Sequence, residues 1–205
     1  MTCYLCMKII LWLVVGTAIV VGILLLYSFR FSRIETPQYK VVKKINDIEI
    51  RVYPSLVLAQ TKLKSNRYDG NEDNGFRTVA SYIFGGNSKQ QKIAMTAPVI
   101  MDMSDTGASM SFVMPGKYQM EDLPKPSTAN VEIKKQESKV LAVIEFGGFA
   151  SQEKINRYGD YLDKSLKEAK ITTIGSRLFF GYNAPWDVVN RRNEVAIEVV
   201  NVTED

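Results

Sequence analysis

Residues 139–170 read KVLAVIEFGGFASQEKINRYGDYLDKSLKEAK, and this stretch decides the fold class. Residues 139–146 predict a strand, because they form a nearly continuous apolar run. The pair Gly147-Gly148 predicts a bend, and Ser151 can cap a helix that continues to about Lys170. An apolar stripe at helical spacing marks the buried face of this helix: Ile155, Tyr158, Leu162, Leu166 and Ala169. The stretch therefore predicts a strand followed by a packed helix.

A second unit of the same order lies nearer the N-terminus. Residues 74–84 predict a shorter helix, which Gly85-Gly86 ends. The tripeptide Val-Leu-Ala occurs at 57–59 and again at 140–142, before each helix. This repetition predicts a duplicated unit. Further strands are predicted at 39–45, 47–53, 56–63, 99–103, 110–114, 129–134, 176–182 and 194–202. Helices beside a mostly antiparallel sheet make the fold α+β, with the sheet curling toward a barrel.

The N-terminal region differs from the rest of the chain. Residues 9–29 contain no charged side chain, and a helix of that length covers about the 30 Å hydrocarbon core of a bilayer. Lys8 and Arg30 bracket the run, with Trp12 and Tyr27 near its two ends. The run is longer than the apolar part of a cleavable signal peptide, and it lacks the polar face of a buried core helix. The sequence therefore predicts one transmembrane helix in contact with the lipid bilayer.

This interpretation divides the chain into five segments. A tail at 1–8 precedes the helix at 9–29, and a linker at 30–38 leads to a single domain at 39–202, followed by a tail at 203–205. Lys and Arg residues are more numerous on the C-terminal side of the helix. Because positive residues remain on the cytoplasmic side, we expect a single-pass membrane protein with a cytoplasmic domain.

Composition excludes several classes of function. The net charge is +4, but basic and acidic residues alternate, as in residues 134–139, so we expect no nucleic-acid partner. Cys3 and Cys6 precede the apolar run, with no histidine to complete a zinc site. The pair could be lipidated or idle.

The chain contains no histidine, which removes the commonest general base and the usual catalytic triads. No nucleophile or phosphate-binding motif is found, so we expect no enzyme. The acidic residues at alternating strand positions are interpreted as solvent-facing: Glu49, Glu132, Glu145 and Glu198. Six of the eight methionines fall between Met95 and Met120 and could line an adaptable apolar surface or simply fill the core.

Several strings, in order along the domain, resemble the SOUL haem-binding family. They are residues 50–53 (IRVY), 75–85 (GFRTVASYIFG), 92–99 (KIAMTAPV), 112–115 (FVMP), 145–150 (EFGGFA), 181–185 (GYNAP) and 191–195 (RRNEV). The resemblance implies a pseudo-two-fold fold with two helices on a distorted antiparallel β-barrel. It also implies non-covalent binding of haem or another tetrapyrrole, on an apolar surface near the first helix with basic groups facing the propionates.

The resemblance further implies a set of site residues. Arg77 matches an arginine assigned to a propionate, although it also suits a solvated helix position. The candidate apolar floor is Val79, Ala80, Ile83, Phe84 and Met95, each of which could instead belong to the core. Val52 stands where haem-ligating relatives place a histidine, so haem would bind here without a histidine ligand.

The predicted function is therefore that of a membrane-anchored haem-binding protein, such as a carrier or buffer. The alternative is a module on the same fold that binds a different ligand or a protein.

Overall fold

The computed structural model describes residues 8, 10–22, 34–68, 75–184, 187, 189–200 and 202 of the 205-residue chain. The chain forms two units, at residues 1–34 and 35–205. The described residues of the second unit form nine strands, two α-helices and a short 3-10 helix. The strands are β1 (Lys40–Ile45), β2 (Ile48–Tyr53), β3 (Leu56–Lys62), β4 (Val99–Asp102), β5 (Ser109–Val113), β6 (Glu132–Gln136), β7 (Lys139–Gly147), β8 (Thr172–Gly181) and β9 (Arg192–Val200). The helices are α1 (Gly75–Ile83) and α2 (Gln152–Glu168), and the 3-10 helix is Met120–Asp122.

Local sequence accounts for the ends of these elements. Asn46 adopts a positive φ of 52° in the turn between β1 and β2, which Asn tolerates better than most residues. The Ser151 hydroxyl accepts a hydrogen bond from the Lys154 backbone N–H at 3.3 Å and so caps α2. After α1, Gly85 has a φ of +113°, and the Gly86 N–H donates to the Ser81 carbonyl at 2.8 Å.

All nine strands join one antiparallel sheet in the order β1-β2-β7-β9-β8-β4-β5-β3-β6. The order is symmetrical about the β4–β8 pair. On one side β4, β5 and β3 follow one another, and on the other side β8, β9 and β7 do the same. Each helix connects the corresponding strands of its half, α1 between β3 and β4 and α2 between β7 and β8. The two Val-Leu-Ala tripeptides lie in β3 and β7, at equivalent places in the two halves.

The sheet is open, which corrects the predicted barrel. Closing a barrel requires the two edge strands to pair, but β1 and β6 do not pair with each other in the described residues. Both edges carry exposed lysines, namely Lys40 and Lys44 on β1 and Lys134 and Lys135 on β6. Charged edge strands disfavour further strand pairing, so the sheet ends at each of them.

The N-terminal unit also requires a correction. In the part of the chain that the structure describes, no helix is long and apolar enough to cross a membrane. The predicted transmembrane helix at 9–29 is therefore wrong on this finding, together with the bilayer contact and the single-pass, cytoplasmic localisation derived from it. Residues 9 and 23–29 of that prediction lie outside the described residues.

Two apolar clusters hold the helices on the sheet. Helix α2 packs on β7, β8 and β9, where Ile155, Leu162 and Leu166 are buried. Helix α1 packs on β3 and β5, where Val79 and Ile83 contact a cluster that includes Phe112. The helices thus cover different halves of the sheet, and the exposed residues of one helix lie in a different half of the domain from those of the other.

Candidate functional site

Helix α1 divides the predicted site residues into two groups. Val79, Ala80 and Ile83 point into the core beneath the helix and are at most 8% exposed. Arg77 and Phe84 lie on the outside, and the Phe84 ring is 61% exposed. This division follows from the helical period of 3.6 residues, because the residues of a buried stripe lie on one side of the helix and the positions between them face solvent. A role for the three buried residues in ligand binding remains a prediction.

The segment after α1 carries Met95. Lys92 forms an antiparallel bridge with Phe84, and the Ile93 N–H donates to the Ile83 carbonyl at 2.8 Å. Beyond Met95, the Thr96 hydroxyl donates to the Val113 carbonyl at 2.5 Å. The backbone is therefore fixed on both sides of Met95, whose side chain is 37% exposed.

These residues define what we call the α1 surface: Phe76, Arg77, Phe84, Lys92 and Met95. The Phe76 ring is 42% exposed, and its centroid lies 5.1 Å from that of the core residue Phe112. Arg77 and Lys92 are exposed, and no carboxylate of the described residues pairs with either. The surface thus combines exposed aromatic and thioether groups with two cations, a composition suited to a flat apolar ligand that carries carboxylates.

Val52 does not join this surface. It lies in β2, paired with Val140 of β7, and its side chain is half-buried. Its neighbours on alternate positions, Ile48 and Ile50, belong to the cluster beneath α2. Val52 therefore belongs to the opposite half of the sheet from α1.

Sequence reasoning missed a buried polar cluster on the sheet face opposite the helices. Glu194 of β9 has no exposed surface, and its Oε1 accepts hydrogen bonds from Arg51 at 2.9 Å and from Arg192 at 2.6 Å. Its Oε2 accepts a hydrogen bond from the Tyr182 hydroxyl at 2.8 Å. Three tyrosine rings border the cluster, and the Arg51 guanidinium lies 4.3 Å from the ring centroid of Tyr39. The available signal was the pair of acidic residues Glu194 and Glu198, four residues apart in an otherwise largely apolar strand, but spacing alone does not tell which of them is buried.

Burial and charge shift the pKa values in this cluster. Burial raises the pKa of Tyr53 to about 12, since the charged form would lose its hydration. Burial, reinforced by the charge of Glu194, raises the pKa of Tyr182 well above its usual range. Burial alone would lower the pKa of Arg51, but the charge of Glu194 and the hydrogen bonds with Tyr53 and Glu194 together outweigh it, and the pKa of Arg51 rises. The buried Glu194 carboxylate is thus held by two arginines and a tyrosine in a structural network.

The structure also bears on metal binding. Among the described residues, no three His, Cys, Asp or Glu side chains come together in a way that would hold a metal ion. Cys3 and Cys6 lie outside those residues.

The fold is shared with bacterial proteins of very different sequence. The C-terminal domain of EcmrR superposes with a TM-score of 0.55, at 9% identity, over 80% of this chain and 99% of that domain. A hydrolase from Listeria innocua gives a TM-score of 0.53, at 9% identity, over 75% of this chain and 91% of its own. At this level of identity the likeness concerns the fold alone.

Sequence comparison then places the chain in a family. The model of the SOUL heme-binding protein family matches residues 34–198. Heme-binding protein 2 of Homo sapiens is 31% identical over 79% of this chain and 84% of its own length. Heme-binding protein 1 of Xenopus laevis is 26% identical over 72% of this chain and 80% of its own. The chain belongs to the SOUL haem-binding protein family, as the sequence motifs predicted.

Proposed function

We propose that this protein binds haem non-covalently and reversibly on the α1 surface, and that it acts as a carrier or buffer of haem. The observation that supports the proposal most directly is the exposed Phe84 ring, bridged to Lys92, in a member of this family. Arg77, seven residues before Phe84, is two helical turns away on the same exposed side. A haem presents a flat apolar ring and two propionates. Phe84 and Met95 would contact the ring, and Arg77 and Lys92 would pair with the propionates.

The proposed binding uses no histidine, because the chain has none. Its affinity would come from apolar burial and charge pairing. Burying about 100 Å² of apolar surface contributes about 2.5 kcal/mol, and a hydrogen bond to a charged group contributes about 1.5–3 kcal/mol. Several such contacts give useful affinity while leaving the ligand free to exchange, as a carrier or buffer requires. The proposal assigns binding and no reaction to the α1 surface.

The test is a pair of titrations of the full chain, with hemin and with iron-free protoporphyrin, followed by Soret absorbance. Both rings should bind with similar affinity, since iron coordination contributes little. Phe84→Ala should weaken both by about tenfold, on the order of the apolar area removed. Arg77→Ala should weaken both by roughly ten- to a hundredfold.

The chain offers matched controls. Phe149 is 56% exposed and Arg157 lies on the solvent side of α2, both outside the α1 surface. Phe149→Ala and Arg157→Ala should leave both affinities unchanged. If neither ring binds saturably, the proposal is wrong and a non-haem ligand or protein module is favoured. If hemin alone binds, the iron is coordinated by a side chain of this protein, and the part of the proposal that excludes coordination is wrong.

A further inference from the structure

A second concave region lies in the other half of the domain. It is a cleft of approximately 960 Å³ between the N-terminal turns of α2, the loop that follows β4, the segment after β3 and the middle of β8. None of its lining residues belongs to the α1 surface. Six of them are uncharged hydrogen-bonding side chains: Asn66, Ser104, Thr106, Gln152, Asn156 and Ser176.

A β-bulge forms one wall of this cleft. The pairing of β8 with β9 shifts register between Ile174 and Leu178, and Gly175 within the bulge has a φ of +73°. A bulge redirects the side chains beside it. Here the Ser176 hydroxyl donates to Asp102 of β4, and the Arg177 side chain lies against Gly159 of α2. The bulge therefore links β4 and α2 across the cleft.

Four charged residues line the cleft, and their pairing differs. Arg177 donates to Asp160 at 2.8 Å and to Asp163 at 2.5 Å, both on α2. Asp105 accepts a hydrogen bond from the Asn66 amide at 2.6 Å, and Asp102 accepts one from the Ser176 hydroxyl. The fourth, Arg67, is exposed and has no carboxylate partner among the described residues, so its guanidinium adds donors to the wall.

The groups that face the open space include both donors and acceptors. The hydrogen bonds of the described residues use one oxygen of Asp102 and one of Asp105, which leaves the second oxygen of each as an acceptor. The Asn156 carbonyl oxygen accepts from Gln152 at 2.8 Å, so the Asn156 NH2 group remains a donor. A ligand hydroxyl satisfies such a wall best, because it donates and accepts at once.

We propose that this cleft binds a neutral polyhydroxylated ligand of monosaccharide to disaccharide size. The volume and the mixture of donors and acceptors, with acidic and basic side chains both present, favour this class. Ile155, which is buried, and Met103 give the cleft an apolar floor against which the carbon skeleton of such a ligand packs. The inference is independent of haem binding.

Gly107 provides a blocking substitution. It lines the cleft, its backbone needs no positive φ, and a Cβ built on it meets nothing within 4 Å. Gly107→Trp should fill the open space without disturbing the fold. Lys117→Trp, on another exposed turn, is the matched control.

The experiment titrates the full chain with glucose and with maltose, following backbone amide chemical shifts. At least one sugar should produce saturable shifts at Gly107, Gly175 and Asn156. The apparent Kd should rise at least tenfold in Gly107→Trp and stay unchanged in Lys117→Trp. The proposal is wrong if neither sugar gives saturable shifts, or if Gly107→Trp leaves them intact. Tighter binding of glucose 6-phosphate or glucosamine than of glucose would also overturn it, because the site would then select a charge.

Discussion

The Arg51 guanidinium donates a hydrogen bond to the Glu194 carboxylate at 2.9 Å, across 143 residues of sequence. Arg51 lies in β2 and Glu194 in β9, and β7 separates these strands in the sheet. The two side chains are 4% and 0% exposed. The pair therefore connects strands that are not neighbours, on the sheet face opposite to the one on which α1 and α2 pack.

Removing the buried Glu194 carboxylate should lower the stability of the fold. Glu194→Gln should lower the free energy of unfolding by about 3–5 kcal/mol, because Arg51 and Arg192 keep their charges and lose the fully buried carboxylate between them. Their remaining partners, Glu49 and Glu145, are more exposed. Chemical denaturation measures the change. The control is Glu198→Gln on the same strand, whose partner Lys139 is partly exposed, and it should cost less than about 1 kcal/mol. Equal effects of the two substitutions would contradict the structural role of the buried pair.

A buried tyrosine should control stability at alkaline pH. Burial raises the pKa of Tyr82 to about 12, and its hydroxyl donates to the Pro124 carbonyl at 2.9 Å. Tyr82 in the unfolded chain ionises near pH 10, so its contribution is complete below pH 10 and is lost as the pH rises to about 12. Tyr82→Phe should therefore cost about 1 kcal/mol at neutral pH and make the decline above pH 10 shallower.

Denaturation curves at several pH values between 8 and 12 would measure this effect. Tyr161→Phe, which changes an exposed tyrosine of α2, is the control and should leave the slope unchanged. A slope that Tyr82→Phe does not alter would contradict the prediction.

Replacing Gly159 with alanine should not stabilise the protein, although such a change in a helix usually does. A Cβ at this position of α2 would lie 2.6 Å from the Arg177 Nη1 atom. Replacing a helical glycine with alanine normally stabilises by about 1 kcal/mol, but here the new methyl group displaces Arg177 from Asp160 and Asp163. We expect no net gain from Gly159→Ala in the wild type and a gain of about 0.5–1 kcal/mol in an Arg177→Ala background. A double-mutant cycle by thermal or chemical denaturation measures this coupling, and additive effects would exclude it.

A histidine at position 52 should not restore iron ligation. Val52 belongs to the half of the sheet that α2 covers, whereas the proposed haem surface lies on α1. Val52→His should therefore leave the ratio of hemin to protoporphyrin affinity and the Soret maximum unchanged. A red-shifted Soret band with tighter hemin binding would place the haem near β2 instead.

Local pattern was sufficient to predict most individual elements. The apolar stripe and the Ser151 cap predicted a helix that the structure places at Gln152–Glu168, and the glycine pair at 85–86 follows α1 as expected. Such features depend on side chains within a few residues of one another, so their spacing determines the outcome. The family motifs likewise identified the family from sequence alone. The apolar run at 9–29 shows the limit of this reasoning, because apolar composition alone does not establish a helix that crosses a membrane.

Other features were decided by the tertiary structure, because they depend on which strands, distant in sequence, pair in the sheet. Alternation along β9 places Glu194 and Glu198 on one face, but only the pairing with β7 and β8 makes Glu194 fully buried. Within the described residues β1 and β6 do not pair with each other, and their exposed lysines identify them as edges only once their places in the sheet are known. Val52 and Arg77 both fall in strings that resemble the family, yet they belong to different halves of the domain. Val52 lies in β2, whereas Arg77 lies on α1, which packs on β3 and β5. The amino-acid sequence determines periodicity and turns locally, whereas burial and proximity arise only when strands far apart in the chain pair.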